Sequence, residues 1–193
     1  MDKDFFAHPT AIVDSEKIGS GTRIWAYAHV LNGAEIGENC NIGDHCFVES
    51  HVKIGNDVVI KNGVSVWDEV NIGDLVFVGP NVVFTNDMFP RSKVFHEKYV
   101  PTHIHKGVSI GANATIICGN TIHEYAMIGA GSVVTRDVAA YALVVGNPAH
   151  HIGYVCQCGT RLLFSSRQAH CAECGKEYIE SNNVVKIITS EQA

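Results

Sequence analysis

The sequence predicts an all-β protein: a parallel solenoid of triangular coils, an inserted loop at about residues 87–107, and a small four-cysteine module at the C-terminal end. Three observations lead there. Aliphatic or aromatic residues recur at every sixth position from Ile12 through Ile18, Ile24 and Val30 to Phe84. The recurrence stops after Phe84 and is taken up again, out of step, at Ile110, Ile116, Ile122, Ile128 and Val134. Beyond it, Cys156, Cys158, Cys171 and Cys174 crowd together.

A period of six fits neither one face of an α-helix nor the two-residue alternation of a half-buried strand. It fits very short strands joined by tight corners, with the large aliphatic of each strand pointing inward. Four residues after each aliphatic stands a small or β-branched residue that also points in, such as Ala28, Ala34, Cys40, Cys46 and Val52; Glu16, in the first hexad, departs. Glycine often follows the aliphatic, as in Ile18-Gly19 and Ile54-Gly55, and turns the corner. Three hexads close one coil of 18 residues, and stacked coils bury a continuous core. Cys40 and Cys46, at the small inward position, are packing residues rather than ligands.

Residues 18 apart therefore lie one above the other, separated by the inter-strand distance of ~4.8 Å. Ser50, Asp68 and Asn86 form such a column, with Trp67 and Thr85 beside it. Asp and Asn are also ordinary corner-formers; the loop that follows Asn86 favours a functional column. That loop carries Arg91, Lys93, Lys98 and Lys106 against Asp87 and Glu97, with His96, His103 and His105. Long insertions in compact repeats are more often functional than not, and cations at a cleft suit a phosphate or carboxylate.

With 193 residues, the chain divides into a solenoid over 1–153 and an appendage over 154–193. A formal net charge of −6 argues against nucleic acid or an anionic membrane as partner. No apolar run is long enough to span a bilayer, and the opening "MDKDFFAHPT" lacks the apolar stretch of a signal peptide, so the expected location is the cytoplasm. In a reducing compartment, clustered cysteines suggest a metal rather than disulfides. Cys156-x-Cys158 and Cys171-x-x-Cys174 supply four thiolates for a structural Zn²⁺. The tight first pair also admits His170 as a substitute ligand. The neighbouring "LLF" and "YIE" segments read as short ribbon strands, and a unit this small needs a metal to fold.

"NGVSVWDEV" (62–70), "FTNDMFPRS" (84–92), "GANATIICGNTIHEYAMIGAGSVVTRDV" (111–138) and "YALVVGNPA" (141–149) resemble the left-handed β-helix nucleotide-sugar N-acetyltransferases. The likeness covers most of the solenoid. It is nearest to enzymes acting on the 3-amino group of UDP-2-acetamido-3-amino-2,3-dideoxy-glucuronate, for surface polysaccharides such as O-antigen lipopolysaccharide. Enzymes for dTDP-3-amino-3,6-dideoxyhexoses carry nearly the same motifs. The resemblance implies a homotrimer with acetyl-CoA in the groove between neighbouring helices and direct attack of the sugar amine on the thioester. It implies Asn86 and Asp68 as catalytic residues, and Asn62, Trp67, Asp87 and Arg91 as substrate-binding residues. For acetyl-CoA it implies Gly111, Gly129, Ala130, Arg136 and Pro148, although His150-His151 stand where the family often has Arg or Lys. A general base is one of the loop histidines, or is absent, the proton passing to the departing thiolate.

Two other readings use the same solenoid. A γ-class carbonic anhydrase needs three histidines around a metal, but His45 and His51 fall on different faces, and Gly63 and Glu69 stand 18 residues beyond them. A non-catalytic assembly module would need neither the basic loop nor the column.

Overall fold

The computed structural model describes residues 4–94, 98–182 and 184–188. Among them every regular element is a β-strand, most of two residues. Among the described residues no helix is long and apolar enough to cross a membrane. The strands stack into three parallel faces. The first face runs through Arg23–Ile24, Asn41–Ile42, Val59–Ile60, Phe77–Val78, Ser109–Ile110 and Met127–Ile128. The second runs through His29–Val30, Phe47–Val48, Ser65–Val66, Val83–Phe84, Thr115–Ile116 and Val133–Val134; the third through Glu35–Ile36, Lys53–Ile54, Val70–Ile72, Thr102–Ile104 and Thr121–Ile122.

The 18-residue period is the pairing register: Ile24 lies over Ile42, Val30 over Val48 and Ile36 over Ile54. All six are buried in one continuous core. Cys40 and Cys46 lie in that core, donating to the carbonyls of Gly55 at 3.1 Å and Lys61 at 3.2 Å. Burial raises both thiols above their ordinary pKa, as expected of packing residues.

Two details of register depart from the sequence reading. The first coil has 17 residues, because Ile12 pairs with His29 and Val13 with Val30. Val13, not Ile12, therefore faces the core, and Ile12 is 54% exposed. The hexad is one residue short where Ser15 tucks in, its hydroxyl donating to the Ala34 carbonyl at 2.6 Å. This accounts for the misfit at Glu16.

The second departure concerns the loop. Ile72 pairs with Ile104 and Val83 with Thr115, each 32 positions on, against 18 between Ser65 and Val83; the difference of 14 residues is the insertion. The beat thus resumes at the buried Ile104, one hexad before Ile110. The insertion lies between Phe84 and Thr102, closed by Val100 N–H to the Asn86 carbonyl at 3.2 Å and Thr102 N–H to the Glu69 carbonyl at 3.0 Å. His103, His105 and Lys106 belong to a coil, not to the loop, while His96 and Glu97 fall outside the described residues. Ile104→Val is expected to cost about 0.5–1.5 kcal/mol in denaturant melts, whereas Ile12→Val stays within about 0.5 kcal/mol.

At the C-terminal end, His150–Val155 turns back antiparallel to Ala142–Val145 and pairs onward with Arg161–Leu162, so one strand runs across the 153/154 boundary. A three-stranded antiparallel sheet follows: Gln168–His170, Glu177–Ser181 and Val184–Ile187. Its small core includes Tyr141, Leu162 and Tyr178. Tyr125 stacks on Tyr141 at 5.5 Å, and Tyr141 meets the edge of Tyr178 at 5.4 Å, tying the module to the last coils.

Candidate active site

The edge between the second and third faces carries the predicted column. Ser50, Asp68 and Asn86 follow one another up it, and the register continues to Cys118 and Arg136. The Thr85 hydroxyl accepts Cys118 N–H at 2.9 Å, which fixes the coil above Asn86. Below Asn86 the ladder opens. Ser65–Val66 pairs with Phe47–Val48 through two register pairs, but with Val83–Phe84 through Ser65 and Val83 alone. The coils part above Trp67, where the inserted loop leaves. Trp67 is half-buried, its ring 5.6 Å from that of Phe47. Asn86 is half-buried, and its carboxamide has no hydrogen-bond partner among the described residues.

Asp68 is already engaged. Its Oδ1 accepts the His51 backbone N–H at 2.9 Å, and its Oδ2 lies 3.1 Å from His51 Nδ1. Its own N–H donates to Glu49 Oε2 at 2.7 Å. Sequence reasoning missed Glu49 and His51. The signal was an offset of 17 residues for His51 and 19 for Glu49, one short of and one beyond the period, which places a side chain diagonally across two coils rather than directly above its neighbour.

In the loop, Asp87 Oδ1 accepts Phe89 N–H at 2.8 Å and so shapes the first turn. Arg91 is exposed and donates to the Pro90 carbonyl at 3.0 Å. Met88, Phe89 and Val94 expose large apolar surfaces around it.

The other predicted residues lie on a different edge. Gly111, Gly129, Ala130 and Pro148 line the corner between the first and second faces, and Asn62 stands lower on the same corner. A Cβ on Gly111 would meet Ala130 N at 2.5 Å, and one on Gly129 would meet Val145 Cγ1 at 2.6 Å, so contact between coils accounts for both glycines. Asn62 holds its corner, accepting Asp44 N–H at 3.2 Å and donating to Asp44 Oδ2 at 3.3 Å. Within one chain the second face separates these residues from Asn86. Arg136 is on the Asn86 side, at the mouth of a cavity of about 490 Å³ that it shares with Asp137, His151 and Tyr154.

The four cysteines converge. Their Sγ atoms all lie within 4.8 Å of one another, with Cys156 and Cys174 3.3 Å apart and Cys158 and Cys171 3.5 Å apart. A tetrahedral thiolate site with ~2.3 Å bonds puts sulfurs about 3.8 Å apart, so the donor set fits zinc. Tight turns present both pairs, with Gly159 N–H on the Cys156 carbonyl and Gly175 N–H on that of Cys171. The Thr160 hydroxyl beside Cys158 brings that thiol down to about 6, while burial pushes Cys156 up to about 12. His170 is not in the group; its Nδ1 lies 3.9 Å from Glu177 Oε1. Among the described residues these cysteines are the group of His, Cys, Asp or Glu side chains able to share an ion. His45 instead stacks on Tyr27 at 5.0 Å.

Comparison with known proteins agrees with this layout. The family described as bacterial transferase hexapeptide (six repeats) matches residues 17–50 and 51–86, and the hexapeptide repeat of succinyl-transferase matches 101–136, leaving the insertion between them. The dTDP-3-amino-3,6-dideoxy-alpha-D-galactopyranose 3-N-acetyltransferase of Aneurinibacillus thermoaerophilus is 59% identical over 180 residues, covering 93% of each chain. A hexapeptide-repeat acetyltransferase of Vibrio cholerae O1 biovar eltor, solved with acetyl coenzyme A, superposes with a TM-score of 0.56 at 28% identity, covering 63% of this chain and 70% of that one. A galactoside acetyltransferase in complex with coenzyme A gives 0.56 at 28% identity, covering 63% and 64%.

Proposed function

This chain belongs to the hexapeptide-repeat acetyltransferases, and on that premise we propose that it transfers the acetyl group of acetyl-CoA to the 3-amino group of a dTDP-linked 3-amino-3,6-dideoxyhexose, for bacterial surface polysaccharide. The observation that carries this is the edge at Asn86, where the ladder opens, an unpartnered carboxamide stands half-buried, and the loop departs. The UDP-linked uronate favoured by the sequence motifs gives way to the dTDP-linked deoxyhexose, because a relative of that activity matches along 93% of the chain. The loop supports the same choice. Met88, Phe89 and Val94 offer apolar surface to a 6-methyl group and a thymine methyl, while the exposed Arg91, bonded to the adjacent Pro90 carbonyl, can exchange that contact for a phosphate.

Acyl transfer from a thioester needs a neutral amine, an aligned carbonyl and a stabilised oxyanion. The Asn86 carboxamide can supply a donor to the tetrahedral centre or hold the amine, with Trp67 and Asp87 flanking it. Gly111, Gly129, Ala130 and Pro148 stand on the other edge, across the second face. A homotrimer reconciles the two, since one copy's glycine edge can bring acetyl-CoA to the next copy's Asn86 edge. Arg136, on the Asn86 side, then reaches the cosubstrate phosphates from the other wall. In the appendage, Cys156, Cys158, Cys171 and Cys174 hold a structural zinc ion.

Coenzyme A release, followed with a panel of 3-amino-sugar nucleotides, tests the assignment. We expect the dTDP-3-amino-3,6-dideoxyhexoses to show the highest kcat/KM. A higher value for UDP-2-acetamido-3-amino-2,3-dideoxy-glucuronate would return the substrate to the uronate.

A further inference from the structure

We propose that His51 is the general base of the acetyl transfer and that Asp68 is its positioning residue, an assignment that rests on the acetyltransferase reading above. The corner ladders of this solenoid share one device: a side-chain oxygen accepts a backbone N–H from the coil below, as Asp44 does for Ala26 and Asp74 for Asn56. Asp68 does this for His51 with Oδ1, and then does more, because its second oxygen meets the His51 ring. Both carboxylate oxygens thus bind one residue. An ionised carboxylate can only accept, so the neutral ring carries its proton on Nδ1 and leaves the Nε2 lone pair free.

Solvent access agrees with that division of labour. The Asp68 side chain is 19% exposed and the His51 side chain 75% exposed, so a fixed carboxylate backs a ring that reaches outward. Glu49 Oε2 holds Asp68 from behind through its backbone N–H. The pair stands on the edge of Asn86, with Asp68 one coil below it, where the ladder between Trp67 and Thr85 opens. His51 itself stands two coils below Asn86, about 10 Å in backbone height, with its ring turned up to Asp68, so a sugar spanning those coils along the edge would bring its amine to the imidazole. The charged groups around the ring are Asp68 and Glu49, Glu69 on the next coil, and Lys53 two residues on. In this proposal Asp68, named above as a catalytic residue, acts through His51.

The chemistry balances. The amine nitrogen bonds to the acetyl carbonyl carbon, and His51 Nε2 takes the proton that the nitrogen sheds. The oxyanion re-forms the carbonyl as the C–S bond breaks, and the imidazolium returns its proton to the thiolate, releasing the N-acetyl sugar and coenzyme A.

The test is steady-state acetyl transfer by full-length wild type, His51→Gln, His51→Ala, Asp68→Asn and His29→Gln, across pH, with the best substrate of the panel. His29 is the control: its Nε2 lies 3.2 Å from Asp14 Oδ2, a His–Asp pair on the lower coils, His29 standing three register steps below Val83. We expect His51→Gln to lose about a hundredfold or more in kcat with KM little changed. The rise of kcat/KM with pH through the imidazole range should vanish in His51→Gln, and added imidazole should partly restore His51→Ala, neither of which a structural role would give. Asp68→Asn should lower kcat and displace the same limb, while His29→Gln stays at the wild-type rate. An active wild type with an equally active His51→Gln would overturn the base and leave the acetyltransferase reading intact. A wild type that acetylates no sugar in the panel would overturn that reading, and the base with it.

Discussion

Replacing Asn86 by alanine is expected to lower kcat/KM by about a hundredfold, the loss associated with removing one donor from a developing oxyanion. Asn86 has the attributes of such a group. It stands on a rigid coil, with its main-chain oxygen taken by Val100 N–H and its carboxamide unpartnered among the described residues. No reorganisation is needed when negative charge appears on the carbonyl oxygen, which is why a preorganised amide does better there than water. A hundredfold corresponds to about 2.7 kcal/mol of transition-state stabilisation. The loss should fall in kcat if the carboxamide acts on the tetrahedral centre, and in KM if it only holds the sugar, so kcat and KM measured separately decide its role. The fold should not suffer, since the side chain is absent from the hydrophobic core; unchanged thermal melts would confirm it. Near-normal activity of Asn86→Ala would remove the residue from the mechanism.

Stripping zinc is expected to unfold the C-terminal module while the coils remain. Its core is small: Tyr141, Cys156, Leu162, Ala169, Cys171, Tyr178 and Val185, of which two are the thiols themselves. Structural zinc contributes apparent free energies of roughly 10–16 kcal/mol, more than so few buried side chains can supply. Protein purified without chelator should contain about one zinc per chain by elemental analysis. Chelation, or Cys171→Ser, should abolish the module's cooperative transition and expose it to protease, with the solenoid's transition retained. Tyr178 gives a local reporter, because its hydroxyl lies 3.1 Å from Cys156 Sγ and accepts Gln157 N–H at 3.1 Å. Its fluorescence should change with metal loss. Metal-free protein with an intact module would overturn the site.

Most of the solenoid was legible because its signal is local and repeated. A β-helix coil returns every 18 residues, so each inward position is reported many times over, and the burial of Ile24, Ile42, Ile60 and Ile110 follows directly. The misread places are those where the count changes. At Ile12 the missing residue is hidden because Val13 is also aliphatic, and only pairing with Val30 shows which side chain turns inward. At Ile104 the beat was present, six before Ile110, but the crowd of His and Lys around it read as loop. Polar residues are tolerated there because the outward position of the Thr102–Ile104 strand, His103, faces solvent.

The amino-acid sequence by itself determined the triangular solenoid, the place of the insertion, the column of Ser50, Asp68 and Asn86, and the four sulfurs of the module, since each depends on spacing along the chain. The tertiary structure alone decided how the coils beyond the insertion line up with those before it. It set Gly111 and Gly129 across the second face from Asn86, put Arg136 on the Asn86 side, and opened the ladder above Trp67. It also gave the Asp68 carboxylate to His51. The physical reason is that period fixes height and corner, whereas a hydrogen bond depends on where a side chain swings once its backbone is held, and a diagonal contact between coils leaves no trace in a period of 18.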